Sequence, residues 1–300
     1  MQATMGCLKD GTPFRRFAPP LPLDDQWTLP NDPGALEVRD RWVNLRSSLM
    51  QTGQLEVAVQ KLLRFWFEHG LLPRPIEDEG SDHVALLLKA GIDTAMAARS
   101  KTNIDVRESF IPEASRRQAA ELLARPIRQE GEITPMEIGH LHRVTCPFTE
   151  LIDKDGKTVD RFKGQNEGTF RSKPIYVMGT DWVMKEGAPA KQIVPELLKI
   201  IEANRAMRQK GVLAIVRAAW VLYAFSVVHP FYDGNGRIAR MLASMVLIRG
   251  GRLPLIMPPR VHRAFFDTMA DARNGRPQML LRLMAECQIA LMESALVALG

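Results

Sequence analysis

Apolar residues recur at three-to-four-residue spacing along most of this chain, the period of a helix with one buried face. Leu36, Trp42, Leu45 and Leu49, then Leu55, Val59, Leu62 and Phe65 to Phe67, predict one or two helices over 35–70, closed by Gly70 and a loop with Pro73 and Pro75. The same spacing predicts helices over 82–100, 113–125, 135–144, 193–208, 212–228, 236–248, 259–272 and 277–299, separated by Gly or Pro. Thr134, Pro135 and Glu137 are a start signature: a capping hydroxyl, a proline where no N–H is needed, and an acid in the first turn. The stretch 212–228 is apolar all round except for Arg217, which predicts a buried core helix and not a membrane span. Two regions break the pattern. Residues 1–34 hold Pro13, Pro19, Pro20, Pro22, Pro30 and Pro33, a density that predicts an irregular arm. Between 150 and 186 the helical period disappears, Lys154-Asp155-Gly156-Lys157 makes a turn, and Ile175, Tyr176 and Val177 form a short strand-like run. The expected fold is all-α, a helical bundle with one small β-hairpin flap inserted.

Composition changes this picture little. The 300 residues are 46% hydrophobic and 25% charged, which fits a folded globular chain and excludes collagen-like and wholly disordered classes. Forty Lys and Arg against 34 Asp and Glu leave a net charge of +6, suited to an anionic ligand but short of the dense basic stripe of a nucleic-acid binder. Cys7, Cys146 and Cys287 are far apart and share no metal-ligand spacing; with no signal-peptide-like start, they point to a reducing, cytoplasmic setting. His140 and His142 lie two apart, on different helix faces, so a shared metal is not expected and helix packing or exposure suffices.

Chemistry concentrates in His229-Pro230-Phe231-Tyr232-Asp233-Gly234-Asn235-Gly236-Arg237-Ile238-Ala239-Arg240, which joins two apolar helices. Gly234, Asn235 and Gly236 at a helix start can turn several N–H groups into one concavity, an anion nest reinforced by the helix dipole. Arg237 and Arg240, three apart, can reach the same side and clamp further phosphate oxygens. Asp233 beside such a nest would repel phosphate unless a divalent cation bridged them, and Mg²⁺ favours a carboxylate with phosphate. His229 can accept a proton near neutral pH. Together these residues predict metal-assisted chemistry on a nucleoside polyphosphate.

Residues 229–240 resemble the Fic-family signature His-Pro-Phe-x-(Asp/Glu)-Gly-Asn-Gly-Arg-x-x-Arg at every specified position. Leu141-His142, Gly168 to Arg171 through Val177, Val194 to Leu197 and 272–283 resemble further parts of that family's core. The likeness spans roughly 113–290. It implies an arm over 1–34, a helical N-terminal extension over 35–112 and a catalytic core over 113–300 with the flap near 168–180. It also implies transfer of AMP from ATP to a hydroxyl side chain (Tyr, Thr or Ser) of a target protein. In that scheme His229 is the general base and Asp233 the Mg²⁺ ligand. Gly234, Asn235 and Gly236 form the anion hole, and Arg237 and Arg240 clamp the outer phosphates. Pro230 and Phe231 are structural, with Phe231 turned inward, and Ile175, Tyr176 and Val177 position the target by main-chain pairing. Self-modification and an inhibitory partner in trans are further partners the resemblance allows; nucleic acid and a membrane span are not expected.

Gly236 counts against phosphorylation, since phosphorylating relatives carry Lys there, while UMP or phosphocholine transfer stays open and intact His229 argues against a catalytically silent nucleotide-binding module. Many relatives also carry an inhibitory helix with Ser or Thr four residues before a Glu-Gly or Glu-Asn pair. No clean copy occurs here: Glu79, Glu130, Glu167 and Glu186 are preceded by Pro75, Pro126, Lys163 and Trp182, and the helix around Thr94 to Ser100 is followed by Thr102-Asn103.

Overall fold

A computed structural model describes residues 5–7, 13–22, 27, 33–54, 132–146, 151–152, 158–159, 168–178, 184–257 and 261–299. The expected helices over 82–100 and 113–125, the second half of 35–70, and the turn at 154–157 lie outside the described residues.

Seven helices occur among the described residues: α1 (Pro33–Gln51), α2 (Pro135–Thr145), α3 (Ile193–Gln209), α4 (Ala214–Val228), α5 (Asn235–Arg249), α6 (His262–Arg273) and α7 (Gln278–Leu299). Each agrees closely with the spacing of apolar residues. The start of α2 is the anticipated capping box: Thr134 Oγ1 accepts from Glu137 N at 3.2 Å, and Glu137 Oε2 accepts from Thr134 N at 2.8 Å. At the centre runs α4, with Ile215 to Phe225 and Val228 all buried. It packs most extensively on α5 and also on α3, α6 and α7, while α1 lies against α7. A helix apolar all round must be enclosed on every side; each fully buried Leu, Ile or Phe contributes roughly 1.5–3 kcal/mol to that arrangement. None of the described helices is long and apolar enough to cross a membrane.

Arg217, the one charge within α4, is 4% exposed. Its guanidinium donates to Val212 O at 3.0 Å and to Asn204 Oδ1 at 3.2 Å, beside a carboxylate, Glu132, that pairs with Arg208 and Arg249 at 2.9 Å each. A buried cation is tolerable when its donors find acceptors, and Nε and Nη1 of Arg217 both do.

The β structure departs from expectation in one respect. The hairpin β5 (Tyr176–Met178) and β6 (Met184–Glu186) is antiparallel, with Val177 opposite Lys185, as a flap requires. Leu151–Ile152 (β3) and Thr158–Val159 (β4) make a second, two-stranded antiparallel pair. The proline-dense arm, expected to be irregular, supplies β1 (Met5–Cys7) and β2 (Pro13–Arg15), antiparallel to each other. In turn β2 pairs in parallel with β6, Phe14 opposite Met184 and Arg15 opposite Lys185, giving a four-stranded sheet ordered β1-β2-β6-β5. Proline excludes a residue from donating to a ladder, and Pro13 evades that limit by standing at the first position of its strand. The rest of the arm, 16–22, is without regular structure, as its prolines dictate.

Candidate active site

Every residue of the 229–240 motif sits where α4 gives way to α5. Pro230 cannot continue a helix, and His229 ends α4 in the left-handed region at φ 51°, with its N–H on Phe225 O at 3.0 Å. Among the described residues it is the only non-glycine with positive φ. Such a conformation costs of order 1–3 kcal/mol and persists only where surroundings over-determine it.

The surroundings do so. Asn235 turns back over the loop, its Oδ1 accepting from Phe231 N at 2.9 Å and its Nδ2 donating to Phe231 O at 2.7 Å, which closes 231–235 into a ring. Its side chain is thus structural, and only its backbone N–H is left for the expected anion hole. Phe231 is 1% exposed, turned inward as anticipated, and stacks on His142 with centroids 3.9 Å apart. His142 Nδ1 accepts from Gly168 N at 3.3 Å, so in the neutral ring Nε2 carries the hydrogen that Asp233 O accepts at 3.1 Å. One imidazole from α2 therefore bridges the motif to the chain entering the flap.

Gly234 has φ +76°, and a Cβ there would lie 2.5 Å from Cys146 Sγ and 3.2 Å from His142 Nε2. Both the conformation and the close packing against the end of α2 demand glycine. Burial pushes the Cys146 thiol upward, keeping it protonated as a small wedge under the turn. Above Gly236, by contrast, a Cβ would meet only Arg240 Nη1, at 3.5 Å, so the space is open. The first hydrogen bond of α5 is Ile238 N to Gly234 O at 3.0 Å, which leaves the N–H groups before it without acceptors in the helix.

The two arginines differ. Arg237 donates to Thr145 O at 3.1 Å, which fixes it to the end of α2, and approaches Asp233 Oδ2 at 3.6 Å. Arg240 is half-buried, and its buried Nε has no hydrogen-bond partner among the described residues. Desolvation first, then repulsion from Arg237, push it down to about 10, so it remains a cation at neutral pH. A cation with a buried, unused donor beside a helix N-terminus and an open glycine suits an anion such as a polyphosphate. Asp233 is 73% exposed with one long ion pair, so its carboxylate can ligate a cation. No group of three or more His, Cys, Asp or Glu capable of holding a metal occurs among the described residues; a metal here would lean on phosphate oxygens and water, as Mg²⁺ commonly does.

His229 is pushed down to about 4, chiefly by burial, with Arg273 and Arg171 adding to the depression and the Ser226 carbonyl and Asp233 opposing it. The ring is neutral at pH 7 and able to accept a proton. Its Nδ1 lies 3.4 Å from Ser226 O, a carbonyl that also accepts from Arg273 Nη2 at 3.1 Å.

Residues 132–247 match the model of the Fic/DOC family. Proteins similar to this chain include the protein adenylyltransferases Fic of Drosophila grimshawi and Drosophila persimilis, each 26% identical over 223 residues. These alignments cover 74% of this chain but 41% and 39% of the relatives, so the chain spans about two-fifths of their length. A Fic-domain-containing signaling protein of Bacteroides thetaiotaomicron has the same fold, with a TM-score of 0.54 at 15% identity over 89% of this chain and 96% of that one.

Within the matched segment 132–247, one residue outside the motif stands out. Arg171 is 2% exposed and its guanidinium donates to His229 O at 2.8 Å, Lys173 O at 2.9 Å, Val228 O at 3.4 Å and, very closely, Ala188 O, while its own N–H donates to Pro230 O at 2.9 Å. It gathers the end of α4, the foot of β5 and the segment after β6 onto one side chain. Burial lowers its affinity for the proton without making it neutral. Spacing does not reveal this role, because the carbonyls it gathers are up to 58 residues away. Ile175, Tyr176 and Val177, expected on the flap, are all half-buried there, Ile175 just before β5 and the other two within it.

Proposed function

We propose that this chain is a protein adenylyltransferase that moves AMP from ATP to a Tyr, Thr or Ser hydroxyl of a target protein. The observation that carries the reading is the pairing, in the loop between α4 and α5, of a neutral, half-buried His229 with an open nest flanked by Arg240, whose Nε has no partner among the described residues. The names of the similar proteins support the same class. The N–H groups at the start of α5 donate to oxygens of the α- and β-phosphates, and Arg240 and Arg237 hold the outer oxygens. Asp233 holds Mg²⁺, which when bound neutralises phosphate charge. His229 takes the proton of the target hydroxyl as its oxygen bonds to the α-phosphorus; the bond from that phosphorus to the bridging oxygen breaks, and pyrophosphate departs with the electron pair. Nest and arginines favour the charge that develops on the phosphates, and holding the hydroxyl in line supplies much of the remaining barrier reduction.

The flap supplies the positioning. β5 is the last strand of its sheet, and among the described residues no strand pairs with its outer edge. A target segment added along Tyr176 and Val177 would gain main-chain hydrogen bonds. The test is incubation of the full chain with Mg²⁺, a protein target and ATP labelled at the α- or the γ-position. Label on protein from the α-position alone, lost in His229→Ala, is the expected result. Transfer from the γ-position, or label that survives His229→Ala, overturns the reading. Asp233→Ala should abolish the Mg²⁺-dependent rate.

A further inference from the structure

The arm does more than cover the body: it ties the flap to the helix that ends in His229. Three sets of contacts do this. Leu21 is held at both backbone groups by α4 side chains, its N–H on Tyr223 Oη at 3.2 Å and its C=O accepting from Trp220 Nε1 at 3.0 Å. Trp27 is buried and its ring lies 5.7 Å from that of Tyr223. At the other end, β2 pairs with β6, and just beyond the strand Phe17 N donates to Glu186 Oε2 at 3.2 Å, a side chain of β6 itself. Trp220 and Tyr223 are 5% and 2% exposed, so this anchor belongs to the core and does not shift with the surface.

Between the anchors lie Ala18, Pro19 and Pro20, with Pro22 just beyond. Each proline holds φ near −65°, so the segment has little freedom to slacken and loses little entropy on being held. A Gly/Ser linker of equal length would transmit no position; a proline-rich one acts as a semi-rigid spacer.

We propose that the N-terminal arm is a strut that sets where the flap stands relative to His229 and hence how well the flap presents a target hydroxyl. The arm occupies the β6 side of the hairpin, which leaves β5 as the side open to a target and prevents the hairpin from sliding along α4. A hairpin of three-residue strands is marginal by itself, and the added strand with its core anchor is what stiffens it. The target-presenting half of this inference rests on the transferase reading above; the bracing half does not.

The test uses the full chain in two forms, Trp220→Phe/Tyr223→Phe, which releases the core anchor, and Pro19→Gly/Pro20→Gly, which slackens the spacer without touching the core. In both, amide hydrogen exchange at 176–178 and 184–186 should accelerate by about tenfold while the amides of α5 keep wild-type rates. In the transfer assay, KM for the protein target should rise about five- to tenfold, with KM for ATP unchanged, because loss of preorganisation weakens target capture and leaves the nest alone. Wild-type exchange at the hairpin in the Pro→Gly form overturns the strut. Faster hairpin exchange with an unaltered target KM overturns its role in presentation. If the wild-type chain transfers nothing from ATP, the transferase reading and the presentation role fail together, and the exchange rates still decide whether the arm braces the hairpin.

Discussion

The loop of 229–240 and the flap of 174–186 meet at Arg171 but are held in different ways. The loop is fastened by side chains to backbone: Asn235 on both polar groups of Phe231, His142 on Asp233 O, Arg237 on Thr145 O, and a glycine that leaves no room beyond Cys146. Its conformation includes a left-handed histidine, which nothing less restrictive would sustain. The flap is fastened mainly backbone to backbone, by strands of three residues on half-buried chain, with the arm as its second support. In the proposed reaction, groups that meet a phosphorus atom would need the first kind of support, whereas a surface that accepts another protein's main chain could use the second.

Arg171 is where this contrast is most easily broken, because it serves both regions. Arg171→Ala leaves several buried carbonyls without a donor and should cost about 3–4 kcal/mol in chemical denaturation, with Arg171→Lys recovering only part since one ammonium cannot span the same fork. A loss under about 1 kcal/mol would show that the two regions are independent.

Acid should sharpen the contrast. The native His229 binds its proton only near pH 4, whereas the unfolded chain binds it near pH 6.5, so the unfolded state holds more protons between those values. Stability from the neutral, half-buried ring is complete above pH 6.5 and is lost as pH falls to about 4, by about 3 kcal/mol in all. A His229→Gln chain should lack this part of the acid loss in urea titrations at pH 7 and pH 4.5. Equal pH dependence in the two proteins would assign the acid sensitivity elsewhere.

The smallest effect belongs at the foot of the flap. Lys173 N donates to Tyr232 Oη at 3.0 Å, an exposed contact between the two regions. Tyr232→Phe should cost no more than about 1 kcal/mol. It should nevertheless raise amide exchange at Lys173 while leaving Phe231 protected, because Asn235 secures the latter without help from the flap. Faster exchange at Phe231 would mean that the loop leans on the flap after all.

Much of this was legible in the sequence for local reasons. Helix spacing is a short-range signal, so α1 to α7 lie close to where apolar periodicity places them, and the Thr134 capping box is complete within four residues. The 229–240 motif is equally local, and its turn residues and charges can be assigned by type. What escaped was long-range. His142 could be recognised as a packing residue, but its bridge from Gly168 to Asp233 spans 91 residues on one side and 26 on the other. The arm's strands escaped because proline density argues against ladders in general, while a three-residue strand with its proline at the first position breaks no rule. The spacing of the motif puts the Asn235 backbone in the expected nest, but that its side chain braces Phe231 depends on which way the loop folds.

By itself the sequence determined the helical class, the position of each described helix, the flap, and which charged and glycine residues gather in one interhelical loop, since all follow from contacts within a few residues. Only the tertiary structure decided that His229 is a neutral ring, that Arg240 has a buried Nε no described residue satisfies, that Arg171 ties flap to loop, and that the arm joins the sheet. Burial and partner are properties of what surrounds a residue, and those surroundings come from segments far away in the chain.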